Sequence, residues 1–120
     1  MYGVPADLDL RFLHGATLMQ VCLGTADIQF HFHPTGHVSV QGGWQQRDAL
    51  GEIVDKDSEV AAAEREPFRL HRLLGRRVES IEVAAPSRVS FRFEGGDELQ
   101  IFDDSVQFES FQIQPGDIIV

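Results

Sequence analysis

The chain has 120 residues, of which 42% are hydrophobic, so its length and composition predict one domain with an ample core and exclude a disordered tail. Its net charge of −9 argues against a nucleic-acid partner, which requires a basic surface, and against an anionic membrane surface. Cys22 is the only cysteine, which excludes an intrachain disulfide, and residues 1–7 lack the pattern of a signal peptide. We therefore expect a cytoplasmic protein.

Alternating apolar and polar residues predict strands in both halves of the chain. In the first half, strands are predicted over Thr17–Leu23 and Ile28–His33, and a third begins at Val38 after a Pro-Thr-Gly turn. In the second half, the same alternation predicts strands over 77–83, 88–94 and Glu98–Phe102.

The segment between the two halves has a different character. Residues 47–57 are predicted to form a polar loop. Ser58 is placed to cap a helix rich in Ala and Glu, Pro67 suits the first turn of a second short helix, and Gly75 suits its end. These signals predict a linker helix near 58–74, and the pattern of the first half predicts a matching short helix before its strands.

The two halves carry one apolar pattern twice. Residues 8–40 and 68–101 match at an offset of sixty and then sixty-one positions, with eleven apolar pairs and the glycine pair Gly15 and Gly75. We expect a mainly β fold with a minor α component, built from two repeated antiparallel meander units, 8–46 and 68–113. Two such units can bury their apolar faces against each other, as a sandwich or a partly open barrel, in a single domain over 1–120.

Three motifs are spread along the chain: Leu13-x-Gly15-x-x-Leu18-x-x-Val21, Phe93-x-Gly95-Gly96-Asp97-x-Leu99 and Asp103-Asp104-Ser105-x-x-x-Glu109-Ser110. Together they resemble a family of small acidic bacterial proteins catalogued as a domain of unknown function. The similarity covers nearly the whole chain. It implies a bacterial, stand-alone, non-secreted protein, and it implies no particular activity.

His31, His33 and His37 form a candidate metal site. His31 and His33 share one face of a predicted strand, about 7 Å apart, and His37 opens the next strand. Neutral imidazoles in this arrangement can bind zinc, nickel or copper. The cluster loosely resembles the first motif of cupins, except that His37 stands where cupins have a glutamate. The alternative is a solvated strand face without a cofactor, on which any divalent metal is adventitious. The repeat favours that alternative, because the matching positions are Arg92, Glu94 and Glu98.

Charged side chains offer two candidate interface regions. If residues 65–74 are helical, Arg65, Arg69 and Arg72 share one face, either as an ordinary solvated face or as a contact patch for anions or proteins. Asp103 and Asp104 either shape a turn or belong to an acidic surface. Contact between the basic and acidic regions of two copies would produce a homodimer.

Trp44 is the only tryptophan and follows Gly42-Gly43, so it is either a core residue or an interface anchor. The favoured function is a non-enzymatic interaction module that self-associates, in one version an immunity-type protein masking a basic partner. The alternative is a metal-binding, cupin-like enzyme or sensor that uses the three histidines. A third hypothesis is a small-ligand pocket lined by Phe30, Phe32, Phe91 and Phe93.

Overall fold

The computed structural model describes residue 4 and residues 6–58, 63–103, 111–115 and 118–120. These residues contain two short 3₁₀ helices, Arg11–Leu13 and Leu70–Leu73. They also contain ten strands: β1 (Thr17–Leu23), β2 (Ile28–His33), β3 (His37–Val40), β4 (Trp44–Arg47), β5 (Ile53–Lys56), β6 (Val78–Ala84), β7 (Arg88–Phe93), β8 (Glu98–Phe102), β9 (Phe111–Gln114) and β10 (Ile118–Ile119).

The strands form two five-stranded antiparallel sheets, with the orders β1-β2-β3-β9-β10 and β5-β4-β8-β7-β6. The predicted mainly β fold is confirmed, and the sheets do not close into a barrel. The meanders differ from the prediction in one respect. Each sheet contains three consecutive strands from one half of the chain and a hairpin from the other half, because β9 pairs with β3 and β4 pairs with β8.

The two sheets are joined where β1 and β6 begin. Thr17 forms an isolated bridge with Arg77, sixty positions later in the chain. Gly15 and Gly75 precede the two strands, and both have φ of 80°, a left-handed conformation that favours glycine. The flanking hydrogen bonds run from Gly15 N–H to the Val78 carbonyl and from Gly75 N–H to the Leu18 carbonyl, both at 2.8 Å.

One apolar face of each sheet packs into a shared core. Along β2 every second side chain is buried, and along β7 the core-facing Val89, Phe91 and Phe93 are buried together with Ser90 on the other face. The four phenylalanines considered for a ligand pocket are 7% exposed or less. They belong to one hydrophobic cluster with residues of both sheets and both 3₁₀ helices. These phenylalanines therefore fill the core: Phe30, Phe32, Phe91 and Phe93.

The segment 47–57, predicted as a polar loop, forms most of the β4–β5 hairpin. The Asp48 carboxylate closes the turn, since its Oδ1 accepts the Leu50 N–H at 2.9 Å and the Glu52 N–H at 3.0 Å. Gln46 and Asp55 lie directly opposite each other in this hairpin, and both are buried. The loop prediction was wrong because these two inward-facing residues are polar.

The linker is less helical than the sequence predicts. Within the described part of 58–74, helical structure is confined to Leu70–Leu73, while residues 63–65 form a turn and a bend. Residues 59–62 of the predicted linker helix lie outside the described residues. The Asp55 carboxylate accepts the Arg69 N–H at 2.8 Å, which fixes the segment before the 3₁₀ helix in an irregular path. Among the described residues, no helix has the length and apolarity needed to cross a membrane.

Candidate functional site

Two of the three predicted metal ligands lie together. His31 on β2 and His37 on β3 are directly opposite in the register, and their rings stack at 5.0 Å between centroids with 13° between planes. His31 Nε2 is 3.2 Å from Gln29 Oε1, so this nitrogen is the donor of the hydrogen bond. This pair is half-buried on the outer face of the first sheet.

His33 does not join the pair. It lies opposite Thr17 of β1 and is exposed, because β3 begins only at His37, which the register places opposite His31. Within the described ranges, no group of three or more His, Cys, Asp or Glu side chains is arranged to hold a metal ion. The structure thus offers two imidazoles at this place where a protein zinc site normally has three or four ligands.

Trp44 is a core residue of β4, only 4% exposed. Its ring stacks with Phe68 of the linker at 6.3 Å between centroids and 20° between planes. In the sheet it lies opposite Ile101 of β8. Of the two predicted roles, the core position is the one observed, and Trp44 also lines a cleft described below.

The three predicted linker arginines do not share a helical face. Arg65 forms a salt bridge with Asp55, and its guanidinium lies over the Phe68 ring, 3.9 Å from the centroid. Arg69 donates to the Val54 carbonyl at 3.0 Å. Arg72 is exposed on the second 3₁₀ helix. The predicted helical face therefore does not form, because residues 65–69 are not helical and Arg65 and Arg69 contact β5.

The contacts between the linker and β5 converge on the Asp55 carboxylate, a role that the sequence did not predict. Its carboxylate is 3% exposed and accepts the Arg65 guanidinium, the Lys56 N–H at 2.9 Å and the Arg69 N–H at 2.8 Å. Beside it, Gln46 donates to the Arg69 carbonyl at 3.0 Å. The available signal was the concentration of arginines in the linker, since a buried carboxylate needs a cation or several N–H donors nearby.

Two clefts flank the fastened linker, and we call them together the linker groove. One, of about 490 Å³, is lined by β5 and the linker, including Ile53, Glu64 and Glu66. The other, of about 360 Å³, has Trp44 and Phe68 among its walls and extends to the β1–β2 turn. The clefts share three lining residues, Asp57, Ser58 and Arg65.

The linker groove is acidic. Its lining residues include five carboxylates and two cations, a net charge of −3, and one of those cations, Arg65, is already neutralised by Asp55. Asp57, Glu64 and Glu66 are exposed, and in the part of the chain that the structure describes their carboxylates have no hydrogen bond or ion pair. Asp27, on the opposite wall, accepts Gln29 Nε2 at 3.1 Å and the Ser39 hydroxyl at 3.2 Å.

The predicted acidic interface lies elsewhere. Asp103 follows β8, is half-buried, and its N–H donates to the Ser87 carbonyl at 2.9 Å. Asp104 lies outside the described residues.

Comparison with known proteins identifies no relative. No family model matches the chain, and no curated protein or solved structure matches it significantly. This outcome is consistent with membership of an uncharacterised family, and the function has to be argued from the residues of this chain.

Proposed function

We propose that the protein is a non-enzymatic interaction module that binds a basic segment of a partner protein in the linker groove. The observation that carries this proposal is a groove lined by three exposed carboxylates that have no partner among the described residues. Asp57, Glu64 and Glu66 can pair with lysine or arginine side chains. In the same groove, the Arg65 guanidinium already lies over the Phe68 ring, which shows that a cationic side chain fits beside the aromatic residues.

Position and rigidity support the same proposal. Linker residues on the groove are fixed by the buried Asp55–Arg65 contact, so the carboxylates around them are held at the rim before a partner arrives. The net charge of −9 would steer a basic partner toward the protein and would make association depend on salt. A cytoplasmic immunity-type protein that masks a basic effector is one specific form of this proposal, and self-association is a further expectation.

The proposal can be tested with a short peptide of alternating Arg and Gly, followed by the fluorescence of Trp44, the single tryptophan. The groove variant carries Asp57→Asn, Glu64→Gln and Glu66→Gln. The matched control carries Asp7→Asn, Glu52→Gln and Glu79→Gln, three exposed carboxylates outside the groove. Each variant removes three negative charges. A difference in peptide affinity between them therefore reports binding in the groove, and an equal change reports attraction by the net charge of the protein.

We expect the groove variant to weaken binding about tenfold more than the control variant, and added salt to weaken binding in the wild type. An equal loss in the two variants would mean that the peptide responds only to total charge, and the groove proposal would be wrong. A neutral peptide of alternating Gln and Gly that bound equally well would also contradict it.

A second candidate function is metal binding by His31 and His37, as a sensor or a cupin-like enzyme. The specific observation in its favour is the cross-strand contact of the two rings. The measurement is zinc stoichiometry of untagged, chelator-treated and reloaded protein. The candidate requires stoichiometric zinc that is lost in His31→Ala, and it fails if zinc binding is absent or is unchanged by that substitution.

A further inference from the structure

The outer face of the second sheet contains a small cavity that is separate from the linker groove. Its volume is about 220 Å³, enough for about seven water molecules at their liquid volume. It lies across β6, β7 and β8, on the side opposite the core, because its β7 residues flank the buried Phe91. The lining residues are Ser80, Glu82, Ser90, Arg92 and Glu98.

The floor of this cavity is a buried hydroxyl without a partner. Ser90 is 2% exposed, and in the described part of the chain its Oγ has no hydrogen-bond partner. Of its two neighbours across the sheet, Gln100 on β8 already accepts Gln45 Nε2 and Arg47 Nε at its Oε1, and Glu82 on β6 accepts the Arg88 guanidinium. Buried hydroxyls are nearly always hydrogen-bonded, so an unpartnered one on a residue that lines a cavity calls for a polar occupant.

The walls carry opposite charges that are not paired with each other. Arg92 and Glu98 lie directly opposite in the β7–β8 register, yet within the described residues neither takes part in an ion pair or side-chain hydrogen bond. Glu82, by contrast, is engaged by Arg88. Among the described residues, the cavity therefore presents a guanidinium and a carboxylate without partners, side by side on neighbouring strands and next to the Ser90–Gln100 pair.

We propose that this cavity binds a small zwitterion of the free α-amino acid class. The α-carboxylate pairs with the Arg92 guanidinium, the α-ammonium pairs with the Glu98 carboxylate, and Ser90 Oγ hydrogen-bonds to the bound molecule. The volume accommodates a single small amino acid. The site does not depend on the linker groove, with which it shares no lining residue.

The test is a titration of the ¹⁵N-labelled full chain followed by NMR. L-Alanine is the zwitterionic probe, and propionate and ethylammonium are its two single-charge counterparts. We expect L-alanine to cause saturable shifts of the Ser90 and Arg92 backbone amides, with a dissociation constant of about 1 mM, and each counterpart to bind about tenfold more weakly.

Two substitutions locate the site. Arg92→Gln is expected to raise the dissociation constant about tenfold, and Ser90→Ala to raise it about threefold while leaving the fold intact, because it removes a hydroxyl without a partner. Arg77→Gln removes an exposed arginine that does not line the cavity and serves as the matched control.

Three results would overturn the proposal. They are the absence of saturable shifts with L-alanine up to about 10 mM, equal binding of propionate and L-alanine, and an equal loss of affinity in Arg77→Gln and Arg92→Gln. The second result would indicate a site for anions alone, and the third a response to net charge.

Discussion

Among substitutions near the groove, removal of the Asp55 carboxylate is expected to cause the largest loss in the free energy of unfolding. Asp55→Asn leaves the Arg65 guanidinium without its counter-charge, and the two side chains are 3% and 9% exposed. Breaking a buried ion pair from one side costs about 3–5 kcal/mol, because the remaining charge is left desolvated. Two backbone N–H groups, of Lys56 and Arg69, also lose a charged acceptor.

Urea unfolding, followed by Trp44 fluorescence and by circular dichroism, measures this cost. With a urea m-value of about 2 kcal/mol/M, a loss of about 4 kcal/mol lowers the midpoint by about 2 M. The matched control is Glu82→Gln, which breaks the salt bridge to Arg88, where the Glu82 side chain is 67% exposed. We expect this control to cost about 0–1 kcal/mol, because water screens the exposed pair.

The double variant Asp55→Asn/Arg65→Met separates the ion pair from the backbone hydrogen bonds. Removing both charges is expected to cost about 1–3 kcal/mol less than the sum of the two single variants. If Asp55→Asn costs no more than Glu82→Gln, the carboxylate is not held in this buried contact, and the reasoning about a fastened linker is refuted.

Other parts of the fold yield three further predictions. Gly15→Ala and Gly75→Ala should each cost about 1–2 kcal/mol in urea unfolding, since both have φ near 80° and an added Cβ meets no atom within 4 Å, so only backbone strain remains; unequal costs would contradict this. The side-chain hydrogen bonds from Arg11 lower the pKa of Asp9 from 3.8 to about 2, so its contribution to stability is complete above pH 3.8 and is lost as the pH falls through about 2. Carbon NMR should show this pKa return toward 3.8 in Arg11→Gln. Phe91→Ala should cost about 3–5 kcal/mol by the same urea assay, because the ring is 1% exposed and its loss leaves a cavity in the core.

Some strands could be predicted with their observed bounds. β1, β2 and β8 have the predicted bounds, and in β2 the buried and less buried side chains alternate as the sequence does, because one face lies toward the core. In β1 a bulge after Leu18 leaves the apolar side chains of Met19 and Leu23 exposed. Turn residues at the strand ends, such as Gly36 with φ of 105°, stop the alternation sharply. Where an apolar row and a turn signal agree, the sequence alone is enough to locate a strand.

β4 and β5 could not be predicted in the same way. Their inward-facing row includes Gln46 and Asp55, which a hydrophobic pattern assigns to solvent. Both are acceptable inside because distant residues supply partners: Arg69 offers a carbonyl to Gln46 and an N–H to Asp55, and Arg65 supplies a counter-charge to Asp55. Contacts between residues so far apart cannot be predicted from the local sequence. For that reason neither β4 and β5 nor the linker groove was predicted.

A comparison of the two sheets shows where the halves of the chain diverge. β9 lies beside β3 as β4 lies beside β8, and Ile113 is opposite Val38 where Gln46 is opposite Leu99. The first sheet thus has an apolar pair at a position where the second has a buried amide, next to Asp55 and Arg65. Buried ion pairs are often replaced by apolar residues at no cost in stability, so stability alone does not require the polar arrangement. What the buried Gln46, Asp55 and Arg65 side chains do is hold the linker beside β5. The acidic groove forms between these two segments and therefore depends on that contact.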